Sequence, residues 1–500
     1  MLLLTATAVL YRSPYSASDL EIAPDSVEYA IGSVRLWKDG QYSIVIEGKG
    51  LPPRYPPLPS VLLVPAYALF GSDPGNGILP VTLMAVVGIG LAWAIGRRVG
   101  GPWGGGAAGL ALLSLPVYAN WGRTIMTDVP SCVLVLAVCL LYQRARSKGE
   151  LSPRTCLAVG GLAALATALR PVSAAAVLPF LIPLFRHRKG RDIALGLAAL
   201  FLPISIPGVI NLIYNAKIFG HPVRSGYHFW GPIPYDFFSL TSSPHYVSIN
   251  LRAIWHCGLA ALLVGAGCLL FAVHRWSAAF HSPKRLRQHR ALVEFLALGT
   301  GPMVLFHLFY FFAQDRFYLP ATAVASILVA GLVGGLLARF RPALIPVLLG
   351  LYLAASLALR VLYPDFPPYR RLAAERIRQH APNGALVISA IDPVYLEHYA
   401  NPDAVRRIIP FSRRVGYASK RLAPKRIHDP ALVEREARQA VQLVASEQLI
   451  QLKIELSRGK RIFLETSQFG PQDAPLIREF ENAFKLHSVD EELYELEQKE

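Results

Sequence analysis

The stretch GILPVTLMAVVGIGLAWAIGRR (residues 77–98) joins a long apolar run to a pair of arginines. A helix of about 20 apolar residues crosses the hydrocarbon core of a bilayer, and lipid requires that the backbone satisfy its own hydrogen bonds. Runs of similar length recur up to Pro364. Residues 1–364 are therefore predicted to form a polytopic, mainly α-helical membrane domain.

Hydropathy predicts about 11 membrane spans in this part of the chain. They cover approximately residues 1–12, 77–96, 103–120, 129–143, 155–169, 171–185, 192–214, 251–274, 292–313, 317–338 and 342–362. An odd number of spans places the two termini on opposite sides of the membrane.

The composition is apolar and basic: 53% of the 500 residues are hydrophobic, 17% are charged, and the net charge is +17. A surplus of basic residues of this size is typical of nucleic-acid binders when the residues form a patch on the surface. Here 29 Lys and Arg stand against 13 Asp and Glu up to Pro364, and 21 against 20 beyond it. The surplus therefore belongs to the membrane domain, and no nucleic-acid partner is predicted.

Short loops between the spans predict the orientation. Alternation puts 17 basic residues on one face: Arg97, Arg98, Arg144, Arg146, Lys148, Arg154, Arg186, Arg188, Lys189, Arg191, Arg275, Lys284, Arg285, Arg287, Arg290, Arg339 and Arg341. Ten acids lie on the other: Asp19, Glu21, Asp25, Glu28, Asp39, Glu47, Asp73, Asp128, Asp236 and Asp315. The positive-inside rule makes the basic face cytoplasmic. We expect a multi-pass protein of a bacterial-type inner membrane, with a cytoplasmic N-terminus and an external C-terminal domain.

Two apolar segments are too short to be ordinary spans. Residues 1–10 lack a basic leader and are interpreted as a truncated or late-assigned first span. Removal of this segment as a signal peptide would break the alternation of basic and acidic loops between the two faces of the membrane. Residues 56–70 are apolar and rich in proline. They predict an interfacial or re-entrant helix in a long first external loop, residues 13–76.

The segment after Pro364 predicts a small soluble α/β domain over residues 365–500. Its predicted elements are helices at residues 369–380 and 431–452 and strands at residues 385–391, 461–465 and 485–496. We identify no catalytic motif in this domain.

Polar residues cluster at four span ends on the acidic face. In the first cluster, Asp25, Glu28 and Tyr29 follow Pro24. A carboxylate there can take a proton from an acceptor hydroxyl. The same pattern is also typical of a helix start with Glu28 as a capping-box partner.

The other three clusters combine arginines with carboxylates. Arg123 and Asp128 precede Pro130, Arg170 lies at a hairpin, and Asp315 adjoins Arg316. A guanidinium at this depth suits a phosphate because its charge is fixed and it forms paired hydrogen bonds. The alternatives are an N-cap role for Asp128, snorkelling of the arginines to lipid headgroups, and an Asp315–Arg316 interaction that only shapes the loop.

The order of these clusters resembles that in membrane glycosyltransferases of the GT-C fold. The likeness is to family 39, which includes protein O-mannosyltransferases and lipid A aminoarabinose transferases. The likeness spans about residues 1–364. Its first part consists of Asp25 with Tyr29, the Pro-Pro-Arg-Tyr-Pro-Pro-Leu stretch 52–58 with Arg54 and Tyr55, and Leu69-Phe70-Gly71. Its later part consists of Arg123 with Asp128 and Pro130, and of Arg316-Phe317-Tyr318-Leu319-Pro320. Many relatives have adjacent Asp and Glu where this chain has Asp25-Ser26, a departure that weakens the case for a second carboxylate and for a bound metal.

A fifth element is similar to the family's Asn…Phe-Gly-x-Pro…Gly-Tyr loop. It comprises Asn211, Phe219-Gly220-His221-Pro222 and Gly226-Tyr227. Its aromatic residues Tyr227, His228, Phe229, Trp230 and Tyr235 can stack on a sugar or prenyl chain, or can serve as interfacial anchors.

The resemblance implies a sugar donor attached to a polyprenyl phosphate in the membrane, and an acceptor hydroxyl on a glycan, a lipid or a protein. It implies Asp25 as the general base of an inverting transfer, Arg316 and Arg170 at the donor phosphate, and Asp128 orienting the acceptor or the first loop, with Arg123 as a candidate link. Asp25, Asp128 and Arg316 are expected to converge in one pocket at the non-cytoplasmic edge of the bilayer. The expected substrate-loop residues are Glu28, Tyr29, Arg54, Tyr55, Arg123, Tyr227, His228 and Trp230.

The resemblance implies no soluble cofactor. No His, Cys or carboxylate cluster has a metal-ligand spacing, so no metal site is predicted, although a role for a divalent ion is left open. HExxH, GxxxxGK[ST] and nucleotide-binding GxGxxG motifs are absent from the sequence.

Two other classes fit a chain with many spans. One is a transporter or flippase of lipids, a class that usually shows repeated halves and ionisable groups near the bilayer midplane. Here the acids gather at one face instead. The other is an inactive protein that binds an envelope partner through its C-terminal domain.

Overall fold

The computed structural model describes residues 24–46, 49–148, 151–187, 190–230, 242–275, 283–340, 350, 369–391, 393–401, 405–410, 446, 448–467, 469 and 474–499. They fall into two compact units. The first takes its described residues from 76–214 and 243–364, and the second from 18–75, 215–242 and 365–500. The predicted boundary after Pro364 is also a boundary between the units, whereas the loop segments 18–75 and 215–242 group with the C-terminal segment.

The first unit is built of helices. Its α-helices are Ile78–Ser114, Pro116–Trp121, Asp128–Lys148, Pro153–Leu169, Leu181–His187, Arg191–Phe219 (up to Tyr214), Val247–His256, Leu259–Arg275, Pro283–Phe295, Gly301–Leu308 and Leu319–Phe340. Short 3-10 helices cover Pro171–Phe180, Pro244–Tyr246 and Asp315–Tyr318, and a π-helical turn covers Leu296–Thr300.

Five helices in the described residues are long and apolar enough to cross a membrane. They are Gly75–Ser114, Asp128–Ser147, Arg191–Phe219, Arg285–Leu308 and Asp315–Arg339, and the bent pair Pro244–His256 and Leu259–Phe271 makes a sixth if it is one span. The mainly helical, polytopic architecture is confirmed. The number of 11 spans stays a prediction, because the segments 1–12 and 342–362 lie outside the described residues.

Helix Arg191–Phe219 shows why this unit needs an apolar solvent. Leu202, Ile206, Val209 and Ile213 are half or more exposed and recur at helical spacing along one side. Such a continuous apolar stripe is unfavourable in water and favourable against lipid chains.

Local breaks divide the apolar runs more finely than hydropathy predicts. Helix Ile78–Ser114 contains a non-helical residue at Gly101 (φ 75°, ψ −164°), and Gly96 lies against Gly104 and Ala108 across this break. The chain therefore reverses here, which separates the predicted spans 77–96 and 103–120. The second ends early, at Ser114, because Leu115 precedes Pro116 and adopts an extended conformation.

The predicted continuous span 251–274 is wrong in one respect. The structure has two helices, Val247–His256 and Leu259–Arg275, and the bend between them is 65°. Gly258 has a φ of 76°, a conformation outside the right-handed helix that glycine adopts readily.

Glycines let two apolar helices of the first unit approach closely. Gly100 and Gly104 in helix Ile78–Ser114 lie against Gly331 in helix Leu319–Phe340, and a Cβ added at Gly100 would collide with the carbonyl oxygen of Gly331. Small residues at such contacts are the usual means by which membrane helices pack, since lipid offers no hydrophobic driving force between them.

The second unit combines the first loop segment, residues 18–75, with segment 215–242 and the C-terminal α/β segment. Its helices are Pro24–Asp39, Leu58–Phe70, Gly226–Trp230, Tyr369–His380, Pro393–Tyr399, residues 448–457 and Ala474–Ala483. Its strands are β1 (Ile44–Ile46), β2 (Lys49–Leu51), β3 (Leu386–Ser389), β4 (Arg407–Pro410), β5 (Ile462–Glu465), β6 (Phe484–Asp490) and β7 (Leu493–Gln498). Helix Pro24–Asp39 contacts helix Pro393–Tyr399, so the first loop packs on the C-terminal segment.

The C-terminal strands form one mixed sheet in the order β4-β3-β5-β7-β6. β3 pairs in parallel with β4 and β5, whereas β7 pairs antiparallel with β5 and β6. The small α/β domain, the helix over residues 369–380 and the strands β3 and β5 are confirmed. The single strand predicted over residues 485–496 is wrong in one respect, because the structure divides it into the antiparallel strands β6 and β7. Most of the predicted helix 431–452 lies outside the described residues.

The close contact at Gly100 predicts that the effect of an added methyl group on stability depends strongly on its position in the helix. Gly100→Ala is expected to destabilise the protein by about 1–3 kcal/mol, because overpacking forces the two helices apart. The control is Gly90→Ala in the same helix, where nothing lies within 4 Å of an added Cβ. We expect the control to unfold at the parental temperature or above. Equal Tm values for the two variants in detergent would contradict the proposed packing.

Candidate functional site

A buried carboxylate in the first unit binds two guanidiniums. Asp128 begins helix Asp128–Lys148, and its side chain is 1% exposed. Its Oδ1 lies 2.7 Å from Nη1 of Arg170, and its Oδ2 lies 3.8 Å from Nη1 of Arg316. Three residues distant in sequence thus meet, and Asp128 is the direct partner of the two predicted phosphate-binding arginines.

Aromatic rings hold both guanidiniums in place. The Arg170 guanidinium lies 4.8 Å from the ring centroid of Phe317, and that of Arg316 lies 4.7 Å from the ring of Trp121. His307 stacks on Phe317 with a centroid distance of 4.7 Å. Cation–π contacts of this kind are strongest where water is excluded. They restrict the arginines to orientations around Asp128.

A buried hydrogen-bond network supports the turn that carries Arg316. The Tyr318 hydroxyl donates to Oδ1 of Asn250 at 2.9 Å. Nδ2 of Asn250 donates to the carbonyl oxygens of Tyr310 at 2.7 Å and Tyr246 at 3.0 Å. The Asp315 carboxylate accepts from the backbone N–H of Arg316 at 2.7 Å. Each contact fixes the 3-10 helix Asp315–Tyr318 at the site.

The sequence did not single out three residues of this cluster: Trp121, Asn250 and His307. Each is an isolated residue in or beside an apolar run, where it carries no motif spacing. The predicted link between Asp128 and Arg123 is a different case. Arg123 is buried at 7% exposure and Asp128 forms ion pairs with Arg170 and Arg316, so the link between Asp128 and Arg123 stays a prediction.

The second unit brings together the predicted residues of the first external loop. Glu28 is 1% exposed and accepts hydrogen bonds from Arg54, through Nη2 and the backbone N–H at 2.8 Å and through Nε at 3.1 Å. Asp25 lies one turn earlier, in the first turn of helix Pro24–Asp39, where the helix dipole favours a carboxylate. The buried pair locks the Arg54 segment onto this helix.

Three tyrosines adjoin that ion pair. Tyr29 and Tyr55 lie with ring centroids 4.8 Å apart, and Tyr227 meets Tyr55 edge-on at 5.6 Å. Burial and then the negative charge of Asp25 raise the pKa of Tyr55 well above its usual value of 10. The Tyr55 hydroxyl therefore stays protonated at neutral pH, and Asp25 lies close enough to act on it electrostatically.

The remaining predicted loop residues lie on the short helix Gly226–Trp230. Nδ1 of His228 accepts from the backbone N–H of Ser225 at 3.1 Å, a local contact at the start of this helix. Gly226 packs directly on the backbone of Pro53 and Arg54, where a Cβ would not fit. Trp230 ends the helix.

The structure thus assembles two groups of predicted residues, one in each unit. The convergence of Asp25 with Asp128 and Arg316 in a single pocket stays a prediction. Within the part of the chain that the structure describes, no group of three or more His, Cys, Asp or Glu side chains has a metal-binding arrangement.

Comparison with solved structures defines the fold class. The chain matches ArnT from Cupriavidus metallidurans with a TM-score of 0.59 and 13% identity, covering 99% of this chain and 97% of that one. The same protein bound to undecaprenyl phosphate matches with a TM-score of 0.55 and 12% identity over the same shares. The Archaeoglobus fulgidus oligosaccharyltransferase in complex with zinc and sulfate matches with a TM-score of 0.50 and 11% identity, covering 100% of this chain and 73% of that one. The chain has the GT-C fold of these membrane glycosyltransferases, as the sequence resemblance predicts.

The match found by sequence covers a smaller part of the chain than the structural matches do. Residues 54–211 match the family model described as dolichyl-phosphate-mannose-protein mannosyltransferase. This segment includes Arg54, Tyr55, Arg123, Asp128 and Arg170. Curated protein sequences give no significant match to the chain.

Removal of each of the two ion pairs in the first loop is expected to lower the stability of the protein by a different amount. Glu28→Ala leaves Arg54 without its buried partner and is expected to cost about 3–5 kcal/mol of folding free energy. The control is Asp39→Ala, which removes the exposed Arg35–Asp39 pair from the same helix and is expected to cost less than about 0.5 kcal/mol. Thermal unfolding and proteolysis of the purified protein measure both effects. A Glu28→Ala variant as stable as the control would show that the pair does not hold the loop.

Proposed function

We propose that the chain is a glycosyltransferase that moves a sugar from a polyprenyl-phosphate donor to an acceptor hydroxyl on the non-cytoplasmic face, inverting the anomeric carbon. The observation that carries the proposal is the buried carboxylate of Asp128 between the guanidiniums of Arg170 and Arg316. Guanidiniums attract anionic groups and offer paired donors to phosphate oxygens, so the cluster suits a phosphate. The aromatic contacts orient the guanidiniums before any substrate arrives.

The distances suggest a division of roles between the two arginines. Arg170 lies at hydrogen-bonding distance from Asp128 and serves mainly to neutralise it. Arg316 lies at the longer distance of 3.8 Å from Asp128. We assign the donor phosphate chiefly to Arg316, with Asp128 and Arg170 setting its position. A guanidinium suits this task because it stays charged and offers paired donors to phosphate oxygens.

The comparisons support a lipid-linked donor. The similar ArnT structure contains undecaprenyl phosphate, and the matched family model is named for dolichyl-phosphate mannose. Both are long isoprenoid phosphates that reside in the membrane. A donor of this kind reaches an enzyme from the lipid, so the sugar carrier is a substrate and the proposal needs no soluble cofactor.

The proposed chemistry is a single displacement. The acceptor hydroxyl gives its proton to the Asp25 carboxylate while its oxygen bonds to the anomeric carbon. The bond from that carbon to the phosphate oxygen breaks, and its electron pair leaves with the polyprenyl phosphate. Arg316 stabilises the charge that develops on this leaving group. Attack opposite the leaving group inverts the anomeric configuration.

The first-loop residues complete the proposal. Glu28 and Arg54 hold the loop in shape, while Tyr29, Tyr55 and Tyr227 offer ring faces and edges on which a sugar can pack. His228, Trp230 and Arg123 are also proposed to contact substrate. The acceptor is a glycan, a lipid or a protein outside a bacterial-type inner membrane, on the side where we place the C-terminal domain.

The role of Arg316 predicts graded losses of donor use. Arg316→Ala is expected to lower kcat/KM for a radiolabelled polyprenyl-phosphate sugar by about 10²–10³, as for other donors to transition-state charge. Arg316→Lys keeps the charge but loses the paired geometry, so its loss is expected to be smaller. Arg97→Gln is the charge-matched control in proteoliposomes. Parental kinetics for Arg316→Ala would remove its phosphate role, and movement of intact donor across the bilayer without transfer would favour a flippase.

The role of Asp25 predicts a loss of chemistry without a loss of folding. Asp25→Asn removes the base and is expected to abolish transfer, while donor binding and Tm stay near parental values. Asp39→Asn replaces an acid at the other end of the same helix and is expected to remain active. If purified Asp25→Asn protein transferred sugar at the parental rate, another group would have to be the base.

A further inference from the structure

A second carboxylate–arginine cluster lies at the far end of helix Asp128–Lys148. Glu294 accepts hydrogen bonds from the Tyr142 hydroxyl at 2.7 Å and from Nε and Nη2 of Arg146, both at 2.9 Å. Arg290 adds a third donor through Nε at 3.0 Å. Two guanidiniums again share one carboxylate, and the proposed transfer reaction uses none of these residues.

This second cluster lies far from the first. Asp128 and Arg146 are 18 positions apart in one helix, a separation of about 27 Å at 1.5 Å per residue. That length is close to the thickness of the hydrocarbon core. The Glu294 cluster therefore lies at the opposite membrane boundary from Asp128, on the face that carries the basic loops.

An apolar groove adjoins the Glu294 cluster. It encloses about 520 Å³ between helices Leu259–Arg275 and Arg285–Leu308. Its lining includes Leu270 on one side and Leu286, Val293, Ala297 and Leu298 on the other. The last four recur every few residues along one face of their helix, so the groove follows that face for about 18 Å. This shape accommodates an extended hydrocarbon chain.

Polar side chains occupy one part of the groove, between Leu286 and Ala297. His289, Arg290 and Glu294 line this part, and the His289 ring is tied to the Val99 carbonyl oxygen at 3.1 Å. Arg146 neutralises Glu294 through two hydrogen bonds, whereas the Arg290 side chain is 71% exposed beside the same carboxylate. Arg285 and Arg287 are exposed on the preceding turn. Arginines therefore outnumber carboxylates in this part of the groove, and Val293, Ala297 and Leu298 give the groove an apolar continuation.

We propose that this groove binds an anionic phospholipid, with one acyl chain along Leu270, Val293 and Ala297 and the headgroup phosphate at Arg290. Charge complementarity selects this occupant: Glu294 is one carboxylate among several arginines, and a neutral lipid fills the apolar part equally well but adds no net negative charge to balance them. Basic pockets between membrane helices are known to bind anionic headgroups. The bound lipid bridges helix Leu259–Arg275 and helix Pro283–Phe295, which both line the groove. The site is independent of the glycosyl transfer proposed above.

The experiment titrates the full-length protein in detergent with phosphatidylglycerol or phosphatidylcholine, and measures bound lipid by native mass spectrometry and Tm by thermal unfolding. Phosphatidylglycerol is expected to bind more tightly and to raise Tm in proportion to its occupancy. Arg290→Gln is expected to weaken its binding by about five-fold, the usual effect of one basic residue near an anionic lipid surface. Arg290→Lys keeps the charge and is expected to restore binding.

Two further variants separate the groove from general surface attraction. Ala297→Trp fills the apolar part and is expected to weaken both lipids, whereas Arg97→Gln removes an arginine of the same face outside the groove and is expected to change neither. The proposal is overturned if Arg97→Gln weakens binding as much as Arg290→Gln, or if Ala297→Trp has no effect. Equal binding of the two lipids, or a Tm increase from inorganic phosphate alone that matches that of phosphatidylglycerol, overturns it as well.

Discussion

The ion pair between Asp128 and Arg170 is the contact on which the candidate site depends. A charged side chain at the edge of hydrocarbon costs several kcal/mol unless a partner or polar neighbours compensate it. Asp128 supplies that compensation for Arg170 and, at a longer distance, for Arg316. The start of one helix, a hairpin and a 3-10 turn must therefore meet at one point. The fold of the first unit brings these three segments together, and their charges define the chemistry at that point.

Sequence reasoning found the members of this cluster and expected Asp128 and Arg316 to lie together, but it did not predict that one carboxylate pairs with both arginines. Asp128, Arg170 and Arg316 stand out because charged residues at the ends of apolar runs are rare and their order matches a family pattern. Their ion pairs depend on how the helices cross, which no local pattern records. His307 and Asn250 were missed for a similar reason. A single polar residue in an apolar run has no periodicity, and only its buried partners reveal its role.

The fold can be predicted from the sequence where apolar runs are continuous, and less well where the backbone conformation of a single residue decides it. Apolar length locates the long helices, and short apolar runs locate β3 and β5. One predicted strand over residues 485–496 covers most of β6 and part of β7, and the turn between them is not predicted. A hydropathy average cannot detect a positive φ, so the break at Gly258 was missed. Strand β4 was missed as well, because Arg407–Pro410 is short and ends in a proline. It joins the sheet as an edge strand through parallel pairing with β3, a long-range contact.

Helix Asp128–Lys148 explains how a protein with a nearly uncharged interior keeps defined positions relative to the bilayer. At each end a single carboxylate, Asp128 or Glu294, is shared by two guanidiniums, and the residues between are largely apolar and buried. Sliding the helix along its axis would draw one of these clusters into hydrocarbon, at a cost that grows with depth. The two clusters therefore oppose displacement in both directions. The proposed reaction centre at the first end would benefit from this arrangement, because a phosphate carried by a membrane lipid is confined to nearly the same depth as the arginines proposed to bind it.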